Sequence, residues 1–442
     1  MPTNSQKQLS LAQVFQTWWP LAVSWLLMAL ESPLMSAVIA RLPQPEKNLA
    51  AWGGVVFPLA LLIEAPVIML LAASTALSKD WKNYQILRKY MMIAGASLTL
   101  LHFGVAFTPL FDFIVVRIMN SPAEIIEPAR IGLRIMLPWT WSIAYRRFNQ
   151  GVLIRFGHSK AVGLGTLVRL TSVGIILAIG SLDGSFAGIV VATAAIASGV
   201  LAEAAYTGLR VRGVLRDQVK KAIPTQSIIE LRGFLKFYIP LAMTSMLTML
   251  MIPMGSAAMS RMPRALESLA AWPVLSGLVF MHRSIGMAFN EVMVALLDEP
   301  KSYVVLSRFR NILIIVSSGL LLLIAGTSIS QFWFQRLSAL SPQLVRLARM
   351  AIWFTLPIPA MGVLHSFYQG ILLNSQKTRG ITEAMGVFLV VAGFILALGI
   401  LWQFQTGVTI VWVAFSVGSI AQYFYLSLRS RAATGALILV KS

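Results

Sequence analysis

Charged side chains inside long apolar runs are the first candidates for chemistry in this sequence. Glu31 stands in the run LMALESPLM and Glu64 in LLIEAPVIM, each two positions before a proline. Because a charge is costly inside an apolar span, such a residue is a functional candidate by default. A carboxylate beside a helix bend could bind a proton, a cation or a donor group of a substrate. The alternatives are contact with interfacial water for Glu31 and a structural role for Glu64.

A third apolar run carries Arg283, Asn290 and Glu291 close together. Arg283 and Glu291 are eight positions apart, about two helical turns, so both can face one side of a helix. A cavity lined by both could hold a proton site and an anion site. The alternative is a buried structural ion pair with another helix.

Four prolines occupy matching positions in two apolar runs: Pro20, Pro33, Pro240 and Pro253. A proline inside a helix removes one backbone hydrogen bond and bends the helix. The freed carbonyl can line a cavity, so these positions are predicted as helix bends.

Further polar residues in the runs favour structural roles. Glu203 and Gln422 occupy matching positions, and Glu203 is predicted to be structural. The pairs Gln150-Gly151 and Gln369-Gly370 are predicted to end their helices, because glycine is common just after the last helical turn.

The motifs of several enzyme classes are absent from the sequence. It has no cysteine, no GxxxxGK[ST] loop, no GxSxG elbow and no HExxH pair, and its four histidines do not cluster. Neither a cofactor, a metal nor an enzymatic activity is therefore expected.

The composition explains which elements must position these residues. The chain is 57% hydrophobic and only 12% charged, which leaves too little polar surface to cover a soluble domain. Apolar stretches of about 20 residues recur, long enough to cross a hydrocarbon core of roughly 30 Å. The predicted class is an all-α polytopic membrane protein.

A long motif occurs twice and indicates a duplication. Residues 36–52 read SAVIARLPQPEKNLAAW and residues 256–272 read SAAMSRMPRALESLAAW. Further matches continue at offsets of 220 and then 219 residues. The repeat predicts six helices in each half, twelve in all, related by a twofold axis along the membrane normal. The predicted regions are an N-lobe (1–209), a cytoplasmic linker (210–232) and a C-lobe (233–442).

The loop charges predict the orientation. One set of alternate loops holds 20 Lys and Arg residues and the other set holds 9. Since basic loops stay on the cytoplasmic side, both termini are expected there, in a bacterial inner membrane, with the first span retained as a signal-anchor. The net charge of +20 is thus explained by topology and by contact with anionic lipids, and no nucleic-acid partner is expected.

The segment FYIPLAMTSMLTMLMIPMGSAAMSR, residues 237–261, resembles the corresponding segment of the progressive ankylosis (ANK) protein family. The proline pair and the closing Ser-Arg carry this likeness, and Asn290-Glu291 is similar to a Thr-Glu segment of that family. The resemblance implies the wider superfamily of multidrug and toxic compound extrusion (MATE) transporters and lipid-linked oligosaccharide flippases. It implies two lobes forming a V and export by alternating access. Glu31 stands where MATE proteins usually have an Asp in helix 1.

Together these observations predict an ion-gradient-driven secondary transporter of a small organic solute, with H⁺ or Na⁺ as the coupling ion. The substrate path is expected between the lobes, lined by helices 1, 2, 7 and 8. An anionic substrate is favoured. The alternatives are a MATE-type exporter of drugs and organic cations and a flippase of lipid-linked cargo. A membrane enzyme and a scaffold without transport are the rival classes.

Overall fold

The structure, a computed structural model, describes residues 9–225, 229–297, 302–375, 377 and 379–441, with side chains up to residue 435. These residues form helices joined by short turns, and no β-strand occurs among them. We number the twelve long helices α1 (Leu11–Ile39), α2 (Pro45–Leu77), α3 (Trp81–Phe107), α4 (Ala123–Ile135 and Leu137–Arg155), α5 (Ser159–Asp183), α6 (Gly188–Lys221), α7 (Leu231–Met259), α8 (Ala265–Leu296), α9 (Ser302–Gly326), α10 (Pro342–Asn374), α11 (Arg379–Trp402) and α12 (Gly407–Lys441).

Eleven of these helices are long and apolar enough to cross a membrane. The exception is α4, which carries Glu124, Glu127 and several arginines. The all-α polytopic class is therefore confirmed. All four predicted bend prolines lie inside helices, Pro20 and Pro33 in α1 and Pro240 and Pro253 in α7.

The predicted helix ends at Gly151 and Gly370 are wrong. The second part of α4 continues to Arg155, and α10 continues to Asn374. Both glycines instead permit close helix contact. A Cβ atom on Gly151 would lie 1.8 Å from Ser74 Oγ, and one on Gly370 would lie 2.4 Å from Met293 Cβ. The absence of a side chain, and not a turn, is what these positions require.

The repeated motif forms the turn that joins the first two helices of each half. Gln44 (φ 52°) and Arg264 (φ 57°) both adopt a left-handed conformation at the start of α2 and α8. The backbone N–H of Asn48 donates to Gln44 O at 3.1 Å, and that of Ser268 donates to Arg264 O at 2.9 Å. Non-glycine residues rarely have positive φ, so both copies have kept one unusual turn.

A π-helical turn at Trp52–Val56 explains why the repeat offset changes. A π turn accommodates one extra residue, and the equivalent part of α8 is an uninterrupted α-helix. The offset is therefore 220 before this turn and 219 after it. Glycine contacts agree, since Gly151 meets Ser74 and Gly370 meets Met293, all at an offset of 219. With this correction Glu64 and Arg283 occupy equivalent positions.

The helices pack as two compact units, and each half contributes its first helix to the unit of the other half. One unit contains Val38–Arg261, which includes α2 to α6 and α7. The other contains the chain up to Ala37, which includes most of α1, and the chain from Met262 onward. In both copies the chain passes from one unit to the other within the repeated motif. The N-lobe (1–209), the linker (210–232) and the C-lobe (233–442) stay a prediction.

Equivalent aromatic residues hold the exchanged helices in place. In one unit Trp18 Nε1 of α1 donates to the carbonyl of Ile285 in α8 at 3.1 Å, and the Trp18 ring packs edge-on against Phe309. In the other unit the hydroxyl of Tyr238 in α7 donates to the carbonyl of Pro66 in α2 at 2.5 Å. The donors Trp18 and Tyr238 occupy equivalent positions of the repeat, and so do the acceptors Ile285 and Pro66. The exchange of the first helix is therefore a property of both copies.

The start of α3 is tied to the segment that follows α6. Asp80 caps α3 and accepts hydrogen bonds from Asn83 N and from Thr225 N, each at 2.9 Å. Asn83 Oδ1 accepts from Ile229 N at 3.1 Å. Burial acts to raise the pKa of Asp80, but these hydrogen bonds outweigh it and lower the pKa from 3.8 to about 2. The predicted linker region is therefore anchored at one end of α3.

Candidate functional site

Glu64 is a buried carboxylate in α2, two residues before Pro66, whose carbonyl accepts the hydrogen bond from Tyr238. Its side chain is only 4% exposed. Its Oε2 atom has no hydrogen-bond partner among the described residues. A buried acceptor without a partner is unusual in a folded protein, and the role of Glu64 in binding a proton or a cation stays a prediction.

Three arginines are the charged groups that act on Glu64: Arg146 and Arg147 from α4 and Arg169 from α5. Arg146 and Arg169 are themselves buried, 5% and 8% exposed. A second carboxylate, Glu203 of α6, is completely buried next to them. We call these five residues, together with Gln150, the Glu64 cluster.

The two carboxylates of the Glu64 cluster have different surroundings. Glu203 accepts from Arg146 Nη1 at 2.5 Å and from Gln150 Nε2 at 2.9 Å, and Arg169 Nε lies 3.8 Å away. Its charge is therefore compensated on both oxygens, which agrees with the predicted structural role. Oε2 of Glu64 has no such partner among the described residues, so the two carboxylates differ in how their charge is compensated.

Sequence reasoning missed the arginines of this cluster. The count of 20 basic loop residues includes Arg146 and Arg147 as part of a cytoplasmic loop, but they lie inside the second part of α4. Without these two arginines, one set of alternate loops holds 18 Lys and Arg residues and the other holds 9. The predicted orientation is therefore unchanged. Arg169 stands alone in the apolar run LGTLVRLTSVG, and the rule that singled out Glu31 would have found it.

The equivalent region of the other unit carries the opposite charge at the position of Glu64. Arg283 of α8 stands where the first copy has Glu64, His365 of α10 stands in place of Arg146, and Gln422 stands in place of Glu203. His365 Nε2 lies 2.9 Å from the carbonyl oxygen of Ser419. Arg283 is half-buried and has no ion-pair partner among the described residues. One copy thus presents a free carboxylate oxygen, and the other presents an uncompensated guanidinium.

Two further predicted residues of α8 contact neighbouring helices, Glu291 with α1 and Asn290 with α10. Trp25 Nε1 donates to Glu291 Oε1 at 2.9 Å, and Glu291 is exposed. Asn290 Nδ2 donates to the carbonyl of Ser366 at 3.3 Å. No ion pair between Glu291 and another described helix is present, so the alternative of a buried pair has no support.

Glu31 lies farther along the contact between α1 and α8. It is half-buried and follows Trp25 by six residues, about 9 Å along the helix. A Cβ atom on Gly277 of α8 would lie 3.1 Å from Pro33 Cδ, which places this end of α1 directly against α8. The structure therefore brings the helices of Glu31 and Glu291 together, but the two carboxylates lie at different positions along the helix axes.

Comparisons with known protein families and with curated proteins gave no match. Solved structures do match along nearly the whole chain. An inward-facing multidrug resistance MATE family transporter of the MOP superfamily has a TM-score of 0.72 at 15% identity, covering 96% of this chain and 99% of its own. The lipid II flippase MurJ in an inward closed conformation has a TM-score of 0.66 at 13% identity, covering 95% and 91%.

A third match is a MOP superfamily transporter from Pyrococcus furiosus, described as having a binding pocket of reversed polarity that suggests a different function. Its TM-score is 0.59 at 15% identity, and the match covers 97% of each chain. Identities this low establish the fold alone. The chain has the fold of MATE family transporters, and its narrower resemblance to the ANK family stays a prediction.

Proposed function

We propose that this protein is a secondary transporter that moves a small organic anion out of the cell by alternating access, driven by a gradient of H⁺ or Na⁺. The observation that carries the proposal is the opposite charge at equivalent positions of the two copies, Glu64 in one and Arg283 in the other. Both are enclosed by helices of a MATE-like fold, and each lacks a full set of partners among the described residues. Such residues mark ion and substrate sites in membrane proteins.

Glu64 is the proposed site of the coupling ion. With three arginines and two carboxylates, the Glu64 cluster has a net charge of +1 when Glu64 is ionised. Binding of H⁺ or Na⁺ changes this to +2 and alters the attraction between α2 and the arginines of α4 and α5. The occupied and empty forms therefore favour different packing of these helices, which is what coupling requires.

Arg283 is the proposed charge partner of the substrate. Its guanidinium stays cationic at all physiological pH values, and its planar fork suits a carboxylate or a phosphate. Glu31 and Glu291 are proposed as further proton-linked carboxylates, because they lie on the helices α1 and α8 that pack against each other at Trp25.

Two alternatives keep specific support. The fold is shared with a multidrug resistance transporter, and Glu31, Glu64 and Glu291 could hold an organic cation in exchange for H⁺ or Na⁺. The fold is also shared with a lipid II flippase, and a lipid-linked anion would satisfy Arg283 as well. Both termini are proposed to lie in the cytoplasm of a bacterial cell.

The test is transport in proteoliposomes under an imposed pH or Na⁺ gradient. Radiolabelled citrate and pyrophosphate are the anion probes, ethidium is the cation probe, and a fluorescent lipid-linked pyrophosphate is the flippase probe. Arg283→Ala should reduce anion transport at least tenfold. Glu64→Gln should abolish the effect of the gradient while exchange of labelled for unlabelled substrate continues. Glu31→Gln and Glu291→Gln should weaken the coupling. Glu124→Gln, an exposed position, is the matched control.

The outcomes separate the candidates. If Arg283→Ala spares anion transport and ethidium transport depends on the carboxylates, the cation exporter replaces the proposal. If only the lipid-linked probe moves, the flippase replaces it. Full gradient-driven transport by Glu64→Gln would show that the coupling ion binds elsewhere.

A further inference from the structure

A cavity of about 510 Å³ lies where α9 ends and α10 begins. Its polar lining includes Arg346 and Arg349 of α10 and Gln331 and Gln335 of the short segment between the helices. All of these residues belong to one unit, and all four side chains are exposed. The cavity is therefore open and basic.

Among the residues that the structure describes, no carboxylate neutralises these two arginines. Neither forms an ion pair with another described residue, and the sequence contains no Asp or Glu between Glu299 and Glu383. Two guanidinium groups on one side of a helix repel each other in the absence of an anion. A bound anion would remove this repulsion.

The equivalent place in the first copy shows what has changed. There Arg130, the counterpart of Arg349, donates to Asp112 at 2.7 Å and to Glu127 at 3.2 Å. The second copy has Gln331 in place of Asp112 and Arg346 in place of Glu127. Both partners of the arginine have thus been lost, and one has been replaced by another positive charge.

The space has changed together with the charge. In the first copy Phe107 ends α3 and lies under the guanidinium of Arg134, 5.2 Å from the ring centre. The second copy has Gly326 and Trp353 at these positions. A Cβ atom on Gly326 would meet only the edge of Trp353, at 3.8 Å. Glycine at this position leaves open space beside Trp353, and both residues line the cavity.

From this we infer that the cavity is an anion site that binds a phosphate group through Arg346 and Arg349. Paired guanidinium groups bind phosphate oxygens through charge-assisted hydrogen bonds, and the glutamines can donate to further oxygens. The phosphate can belong to a phospholipid headgroup or to a soluble compound. The rim favours contact with lipid, because Met350, Trp353 and Phe354 are exposed beside the arginines.

The structure also offers a variant that restores the arrangement of the first copy. Gln331→Asp combined with Arg346→Glu places two carboxylates beside Arg349, as Asp112 and Glu127 lie beside Arg130. Arg308→Gln is the control, because Arg308 is an exposed arginine of the same unit about 27 Å along α9 from Gly326. Thermal unfolding of each purified variant checks that it is folded.

The experiment measures binding of phosphatidylglycerol and phosphatidylcholine to the full chain by native mass spectrometry, and of inorganic pyrophosphate in phosphatidylcholine nanodiscs by calorimetry. We expect at least tenfold weaker binding of phosphatidylglycerol or of pyrophosphate in the double variant and no change in Arg308→Gln. Loss of phosphatidylglycerol alone identifies a lipid site, and loss of pyrophosphate alone identifies a soluble phosphate compound. Equal binding by the wild type and a folded double variant, or no preference for anionic probes, would overturn the inference.

Discussion

The Glu64 cluster allows a direct test of which carboxylate holds the fold and which is free to act. Glu203→Gln keeps the size of the side chain and removes the charge between Arg146, Gln150 and Arg169. With an effective dielectric constant near 20, contacts of 2.5 to 3.8 Å correspond to gross Coulomb energies of about 4 to 7 kcal/mol each. The cost of removing three charges from water cancels much of this in the native protein.

The substitution removes the compensation but leaves both arginines buried. Loss of one partner of a buried ion pair typically costs about 3 to 5 kcal/mol, and we expect this reduction in the free energy of unfolding. Glu64→Gln should cost less than about 1 kcal/mol, because it breaks no described hydrogen bond at Oε2 and relieves the burial of a charge. The two variants are chemically identical substitutions 139 positions apart in one cluster.

The measurement is reversible unfolding of the purified protein in mixed micelles by SDS, followed by tryptophan fluorescence. The double variant Arg146→Gln/Glu203→Gln provides the control, since removing both partners should cost less than removing Glu203 alone. Equal free energies of unfolding for Glu203→Gln and Glu64→Gln would refute the assignment of different roles to the two carboxylates.

Three further predictions concern packing, pH and topology. Gly151→Ala should lower the free energy of unfolding by about 1 to 3 kcal/mol, because its Cβ would collide with Ser74 and with the backbone of Leu71. Gly163 lies inside α5, where a Cβ meets nothing within 4 Å, and Gly163→Ala should instead raise the free energy of unfolding by up to about 1 kcal/mol in the same SDS titration. The pKa of Asp80 is about 2 in the folded protein against an ordinary 3.8. Its contribution to the free energy of unfolding, about 2 to 3 kcal/mol, is therefore complete above pH 4 and is lost as the pH falls through 2. Asp80→Asn should remove this part of the pH dependence of the free energy of unfolding, and an unchanged pH profile would contradict the hydrogen-bonded cap. Single cysteines at Lys82 and Lys221 should react only with reagents that reach the cytoplasm and one at Ser185 should react from outside, while the reverse pattern would invert the predicted orientation.

The helix count and the duplication could be predicted from sequence because both leave long signals. Apolar runs give the spans, and the motif around Trp52 and Trp272 gives the two copies. The exact equivalence of Glu64 and Arg283 could not be predicted, because it depends on where the extra residue of the first copy is placed. The π turn at Trp52–Val56 has no sequence signal that distinguishes it from an ordinary helical turn.

The environment of the site was harder to predict than its candidates. Glu31, Glu64, Arg283 and Glu291 stand out as single charges in apolar runs. Arg146 and Arg147 do not, because this adjacent basic pair follows the largely apolar stretch LPWTWSIAY and is typical of the loop after a span. Their burial depends on helices contributed by distant parts of the chain, and Glu203 is separated from Arg146 by 57 residues.

The exchange of first helices sets an order of events during synthesis. Trp18 must find the carbonyl of Ile285, which enters the chain 267 residues later. At about 5 to 20 residues per second, α1 waits roughly 13 to 53 s for its partner. During this time its polar positions, Glu31 among them, face lipid, the translocon or a chaperone. The second exchanged helix has no such delay, because α7 emerges after every helix of its unit. The two copies therefore complete their units at different times, although both exchange their first helix.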